Sequence, residues 1–446
     1  MSYITAYFQD EMKFYDSNNS LVITLTKPGT NGFISYYDST QTPKWASIIG
    51  GLYSSSSYYS IKYKVDNFLY ITGVFQETLT LYDANNIPVI TYTNPNPDLT
   101  ETPSTIMSFV AKYDLSGTPL WASFIGGNQV MANQDIVPGL CLSNNNIYLV
   151  GMTGLTSEQL QLYNSNSNVP IISKTTYDIF NTFIIKYSTS GSPLWCTIMG
   201  GFNQSTSICT DNNYLYITGA FQDTLNFYDL NDSFTASESL TNPGINGFIV
   251  KYGLDGNHVW GTIIGDTSSR CFSICTDNTS IYVTGTFEDT LILYDTNKDP
   301  IKSSTTHLDK NGFIAKYDLL GTPLFLSIID GMTPPLVNFG INICTDYSKL
   351  YITFYTNVPC TLYDANDISK FATNNYNITV GNNGNLYTLL VSQYDLVGSP
   401  KWVRAVYNVL FVPRTIYADT KLHVNATSTT TITESVTFNV GSPSPI

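Results

Sequence analysis

The stretch from Gly247 to Gly265 narrows what this chain can fold into more than any other. Apolar and polar residues alternate up to Tyr252, a tight turn carries Asp255 and Gly256, and a second strand follows, anchored by Trp260. This is the signature of a β-hairpin, and it is written six times. Trp45, Trp121, Trp195, Trp260, Phe325 and Trp402 hold equivalent places, spaced by 76, 74, 65, 65 and 77 residues. A period that long, with several short strands in each copy, predicts an all-β protein built as a β-propeller.

The fourth copy shows the repeat most clearly. Four strands are expected in it: strand a from Ser207 to Asp211, b from Leu215 to Phe221, c from Phe248 to Tyr252 and d from Val259 to Ile264. Between b and c lies an insert of variable length. It opens at Asp223 to Asp229, with sister copies at Thr78 to Asp83 and Thr290 to Asp295. After Asp83 an Asn-rich turn leads to a second apolar run, Ile87 to Thr93, so each insert reads as an accessory hairpin. All the inserts should project from the same side of the body.

Counting gives six c–d pairs and six strands a. The first copy lacks a strand a, and the spare one, Thr415 to Asp419, lies near the C-terminus. Joining the two predicts a six-bladed β-propeller of four-stranded blades, its ring closed by uniting N- and C-terminal strands. Leu422 to Ala426 is then left over, and Ile432 to Val440 also alternates like a strand. Either a seventh, partial blade exists or this tail pairs in trans with another subunit. The expected organisation is a single propeller over 1–420, then an extra strand and tail over 421–446.

Composition excludes several classes. The formal net charge is −14 and the 20 Lys and Arg form no patch, so duplex nucleic acid and anionic membrane surfaces are poor partners. No apolar run is long enough to cross a bilayer as a helix. The first residues, Met1 to Thr5, already match strand b, so no signal peptide is expected. Seven cysteines show no paired spacing. Cys209, Cys275 and Cys344 share one strand position and Cys141 lies near it, which suits small apolar strand residues; disulfides or a metal site are the alternatives. Buried free thiols fit synthesis in a reducing compartment.

The remaining repeated residues read first as structure. In Asp114 to Pro119, Gly117 supplies the left-handed residue of a type I turn with a G1 bulge, Asp114 accepts backbone N–H groups, and Pro119 starts strand d; Asp318 to Pro323 and Asp395 to Pro400 repeat this. Trp on strand d should pack between adjacent blades. Of 33 Tyr, 18 fall at three positions, those of Tyr216, Tyr228 and Tyr252, either as inter-blade packing or as a carbohydrate platform. Lys112, Lys186, Lys251 and Lys316 recur on strand c, as a solvated face or as an anion site at the axis. Asp83 with Asn85, Asp229 with Asn231 and Asp232, Asp295 with Asn297 and Asp299, and Asp364 with Asn366 and Asp367 form Asx turns or, alternatively, calcium ligands.

A search for catalysis returns no catalytic, cofactor-binding or metal-binding constellation. His258, His307 and His423 sit at unrelated repeat positions, and no nucleophile elbow, zinc helix or phosphate-cradling loop is present. Sequons occur at Asn18, Asn203, Asn231, Asn278, Asn377 and Asn425, as expected by chance in so Asn-, Ser- and Thr-rich a chain.

Leu215 to Phe221, Gly312 to Gly321 and Pro119 to Gly127 together resemble the bacterial cell-surface propeller repeats called SBBP repeats, over nearly the whole chain. That resemblance implies the propeller fold and carries no shared catalytic residues. Those relatives usually have export signals; a chain without one, of this AT-type composition, looks like a version from a large DNA virus of protists. The expected role is a non-enzymatic structural or interaction propeller, assembling as a virion or surface component such as a fibre or coat subunit. Its partners would be itself or other coat proteins. A carbohydrate-binding attachment propeller and a propeller hydrolase or lyase with an axial site are the alternatives.

Overall fold

A computed structural model describes residues 2–52, 60–64, 67–94, 107–126, 136–153, 159–167, 169–176, 181–201, 203–228, 230, 238–266, 268–305, 311–330, 341–356, 360–366, 369–372, 387–409, 411–418, 421–428 and 435–439. Among the described residues every regular element is a β-strand. The second repeat sets the pattern. Ser60–Lys64 pairs with Phe68–Tyr82, which pairs with Met107–Asp114, which pairs with Pro119–Gly126, all antiparallel. These are strands a, b, c and d, and one line of residues, Lys62, Tyr70, Lys112 and Trp121, runs straight across them. The same order recurs in the third repeat (Ile136–Ser143, Asn146–Thr153, Asn181–Ser188, Pro193–Gly200), the fifth (Ser269–Thr276, Ser280–Phe287, Asn311–Asp318, Pro323–Asp330) and the sixth (Ile341–Thr345, Lys349–Thr356, Tyr387–Asp395, Pro400–Val409). The fourth repeat uses Asn203–Thr210, Tyr214–Phe227, Glu238–Gly253 and His258–Ile264. The first has only b, c and d: Ser2–Tyr15, Leu21–Tyr37 and Pro43–Leu52.

The c–d turn forms as the sequence predicts. Asp114 Oδ1 accepts the N–H groups of Ser116 and Thr118 at 2.9 Å each, and Gly117 sits at φ +86°. One extra residue enters the ladder between Lys112 and Tyr113, bringing Tyr113 opposite Pro119, where no N–H donor is needed. Gly321 and Gly398 repeat the geometry, and in the first repeat Gln41 takes the left-handed place at φ +62°. In the third repeat Ser188 stands in for the aspartate, its Oγ accepting Ser192 N–H at 3.1 Å.

The chain divides into two compact units, Met1–Ser205 with Leu225–Ser239, and Thr206–Thr224 with Leu240–Ile446. Within each, the core lies in slabs between consecutive sheets. One slab joins Ile34 and Ile49 of the first repeat to Leu69, Phe75, Phe109 and Phe124 of the second; another joins Ile249 and Ile264 of the fourth to Ile281, Val283 and Phe313 of the fifth. Ten tyrosines at the strand b and strand c positions, among them Tyr70, Tyr113, Tyr282 and Tyr317, are fully buried. The packing reading of these residues therefore holds, and rings so enclosed offer no platform for a sugar.

The C-terminal strands pair with one another. Phe411–Ala418 pairs with Lys421–Ser428, which pairs in turn with Ser435–Asn439, so the three form a sheet of their own. The strand expected to be surplus is the centre of that sheet, and the spare strand a takes it as partner; its pairing with the N-terminal copy is not found among the described residues. The short link at 419–420 favours the pairing seen, since a near neighbour closes at far less entropic cost than a strand some four hundred residues away. Residue 420, the expected boundary, lies outside the described residues, between the first two strands of that sheet. The sequence also reads 94–105 and 331–335 as loops and 441–446 as a frayed end; all of these except Asn94 lie outside the described residues.

Candidate functional site

Consecutive repeats within a unit are joined at both ends of strand d. At the start of the strand, Trp45 Nε1 donates to Leu115 O at 3.0 Å and Trp121 Nε1 to Thr189 O at 3.1 Å, each acceptor lying in the following c–d turn. The turn glycine lies flat on the indole: a Cβ added to Gly117 would come within 2.7 Å of the Trp45 ring, and one on Gly191 within 2.8 Å of Trp121. Gly398 meets Phe325 in the same way at 2.9 Å. Ser47 Oγ adds a bond to Gly117 O.

The strand c lysines serve this same joint. Lys112 donates to Thr189 O at 3.4 Å, Lys251 to Leu319 O at 2.9 Å and Lys316 to Leu396 O at 2.9 Å, again in the following turn. Their ammonium groups lie over strand b rings, Lys112 at 3.6 Å from Phe68 and Lys251 at 3.9 Å from Tyr214. Lys186 lies 5.4 Å from the centre of the Tyr148 ring. Lys112, Lys251 and Lys316 thus serve a joint within their own unit rather than a simple solvated face. In the sixth repeat Gln393 takes the lysine's place and donates to Tyr351 Oη at 3.1 Å.

The inserts make the second grip, at the end of strand d. Leu81 pairs with Ile49, Leu162 with Ile125, Phe227 with Met199, Leu293 with Ile264 and Leu362 with Ile329; each insert is hydrogen-bonded to the repeat before it. A hydroxyl inside strand d reinforces three of these joints, Thr197 donating to Tyr228 O at 2.9 Å, Thr262 to Tyr294 O at 2.6 Å and Ser327 to Tyr363 O at 2.6 Å. Sequence reasoning placed the inserts as projecting hairpins and missed this staple. Its signal was present in the inward pair of each first insert strand, Leu79 with Leu81 and Leu291 with Leu293, which a free-standing hairpin could not cover.

The insert aspartates hold their own turns. Asp83 Oδ1 accepts the N–H groups of Asn85 and Ile87 at 2.9 Å, and Asp295 those of Asn297 and Asp299 at 2.9 and 3.0 Å. Asp364 accepts from Asn366 at 2.9 Å. These are Asx turns, with carboxylate oxygens turned to backbone rather than to a shared ion. Asp229, Asn231, Asp232 and Asp367 lie outside the described residues, as do His307 and Asn377. His258 packs edge-on against Tyr252 at 5.4 Å, a structural position. None of the seven cysteines is in a disulfide, and five of them, Cys141, Cys196, Cys271, Cys344 and Cys360, are buried. The apolar reading of that position stands, and burial pushes the Cys271 thiol up to about 12.

In the second unit a hollow of 610 Å³ opens around Lys251, lined by Asp211, Asn213, Tyr214, Asp255 and Leu319. Asp211 organises it. Its Oδ1 accepts the N–H groups of Asn213 and Tyr214 at 2.8 and 2.7 Å, and its Oδ2 accepts the Tyr216 hydroxyl at 2.9 Å. Burial lowers the Lys251 pKa, against the opposing pull of Asp211 and Asp318. Asp277 and Asp346 repeat the arrangement with Tyr282 and Tyr351 at 2.8 and 3.0 Å. For Asp277 burial acts upward, but the bonds from Thr279, Tyr282 and Ser280 outweigh it and the net shift is downward. A carboxylate so satisfied makes a poor general base, and a lysine already bonded and stacked makes a poor nucleophile. What the hollow offers is hydrogen-bonding groups beside a part-exposed tyrosine ring.

Comparison with known proteins agrees with a repeat protein. No family model matches the chain. It is 26% identical over 365 residues to an uncharacterized WD repeat-containing protein of Acanthamoeba polyphaga mimivirus, an alignment that covers 71% of this chain and 25% of that protein. The chain thus spans about a quarter of the length of the curated relative it matches. Among solved structures it is similar to a eukaryotic initiation factor at 8% identity, with a TM-score of 0.32 over 90% of this chain and 97% of the other, too weak a likeness to bear on the fold. The relative is a giant-virus repeat protein, in line with the origin expected from the sequence; a kinship with the bacterial cell-surface type is not among these findings.

Proposed function

We propose that this chain is a non-enzymatic interaction propeller that assembles as a virion or surface component, a fibre or coat subunit. One observation carries the reading: among the described residues, the recurring charged side chains are spent on joining repeats and holding their turns. The strand c lysines bond the next turn, Asp211, Asp277 and Asp346 are saturated by backbone N–H groups and a tyrosine hydroxyl, and the insert aspartates hold turns. The WD repeat-containing relative in a giant virus supports a propeller that works through contacts with other proteins. Seven cysteines without a disulfide suit synthesis in a reducing cytoplasm before assembly. The partners are itself or other coat proteins, with neither nucleic acid nor membrane insertion favoured at a net charge of −14. Sedimentation velocity and negative-stain imaging of the purified chain should show species well above its 49.4 kDa. A monodisperse monomer across the whole concentration range would remove the self-assembly reading.

The hollow around Tyr214 favours a second role, attachment to carbohydrate, because amide and carboxylate groups there flank an aromatic ring that is 38% exposed. A glycan array should then show hits that Tyr214→Ala abolishes. An array with no hits would end this role.

A further inference from the structure

Among the described residues, the stapling rule leaves one insert strand and one strand d without a partner in a neighbouring repeat. In the first repeat, residues 11–15 pair with 21–26 as an insert hairpin, with Lys13 opposite Thr24, Phe14 opposite Ile23 and Tyr15 opposite Leu21. Tyr82 opposite Pro88 is the same closing pair in the second repeat, so Phe14 stands where Leu81 stands and Lys13 where Thr80 stands. Leu81 and Thr80 bond Ile49 and Gly50 of the preceding strand d. Among the described residues nothing bonds the corresponding side of Lys13 and Phe14. The side chains of Phe14 and Met12 are packed inward, and Lys13 neutralises Glu11 at 2.6 Å, so no net charge guards this edge. Tyr15, Leu21 and Val22 present an apolar tip, 45%, 52% and 44% exposed.

The missing half of the joint is on the same chain. Gln393 opposite Trp402 matches Lys316 opposite Phe325, which puts Val406 in the place of Ile329 and Tyr407 in that of Asp330. Pro400–Val409 pairs only with Tyr387–Asp395 among the described residues, whereas Ile329 and Asp330 take Leu362 and Thr361. The next sheet cannot supply an insert. Its second and third strands are joined by residues 429–434 alone, while the shortest described insert hairpin occupies residues 361–372.

We propose that residues 13–14 of one copy pair with residues 406–407 of a second copy, in the antiparallel register of the five joints within the chain. This rests on reading the chain as a self-assembling scaffold, and it names the interface. A second copy is the fitting occupant because each internal joint links consecutive repeats, and joining these halves within one chain would skip the sheet at 411–439. The contact is heterologous, each copy using one half of each kind, so it propagates head to tail into a filament.

The test mixes two full-length chains, Lys13→Cys and Tyr407→Cys, under mild oxidation, after circular dichroism has shown that both keep the sheet signal of the parent. Neither chain alone can make this bond. The expected result is a covalent dimer in the mixture that is lost when either variant is left out, and a covalent ladder from the double variant. A double variant that instead forms a disulfide within one chain, with no dimer in the mixture, overturns the proposal in favour of closure in cis. Polymers seen by sedimentation with neither bond formed would sink this joint and leave the assembly reading standing. A chain that is monomeric throughout sinks both.

Discussion

Replacing Trp121 by alanine is expected to destabilise the first unit by about 3–5 kcal/mol, the range for removing a large aromatic side chain from a core. The indole is only 7% exposed, and its loss opens a cavity beneath the turn of the third repeat. Thr189 O also loses the indole donor, leaving it only the longer bond from Lys112 at 3.4 Å. Phenylalanine should cost much less, about 1–2 kcal/mol, because it refills most of the space and forfeits chiefly the hydrogen bond. The fifth repeat already makes this substitution, with Phe325 as buried as Trp121 and lying against Gly398 in the same way. Gly191→Ala attacks the joint from the other side, through a residue at φ +86° and a Cβ 2.8 Å from the ring. The two changes should not add: with the indole gone the new methyl keeps its contact with Ser165 Cβ at 2.7 Å but loses those with the ring, so the double variant should cost less than the sum of the singles. Chemical denaturation midpoints read all of this. Additive losses, or an alanine variant no worse than phenylalanine, would show that the ring does not clamp the turn.

The parts of this arrangement that could be read beforehand are those set by local rules. Period-two alternation announced strands b, c and d, and Asp114, Gly117 and Pro119 announced the turn, because φ preference and lost donors act within a few residues. Trp at a constant place announced packing between sheets. What escaped depends on the neighbouring repeat. Lys251 looks like an exposed strand residue until the turn carrying Leu319 is laid against it. The inserts look like projections until Ile49 and Ile329 are seen to end beside them. Counting strands gave the six c–d hairpins, and it left over the strand at 421–428 without showing that this strand takes 411–418 as its partner. The hollow depends on Tyr214, whose place is held by Phe68, Asn146, Ser280 and Lys349 in other repeats, so no periodicity pointed to it.

Raising the pH should unfold this protein in one cooperative step above about pH 10, the ordinary tyrosine pKa. The cause is the set of buried phenols. Burial pushes Tyr37 and Tyr148 up to about 12, and it drives Tyr113, Tyr187, Tyr317 and Tyr394 further upward. For Tyr216 and Tyr282 burial is again the first cause, and the hydrogen bond to Asp211 or Asp277 adds to it. A phenol whose folded pKa lies above its unfolded value favours the fold fully below pH 10. That contribution is lost as the pH climbs toward the folded value, because the unfolded chain releases its proton first. Tyrosinate absorbance and the far-ultraviolet sheet signal should therefore change together. A gradual rise in absorbance while the sheet signal holds would refute the coupling. Tyr113→Phe isolates the effect, since the Tyr113 hydroxyl is buried and has no hydrogen-bond partner among the described residues. Removing it should leave stability near neutral pH unchanged or slightly raised, because a buried unsatisfied polar group is taken away while the ring packing stays. The alkaline midpoint should move upward, and a midpoint that stayed in place or fell would mean that other groups set the alkaline limit.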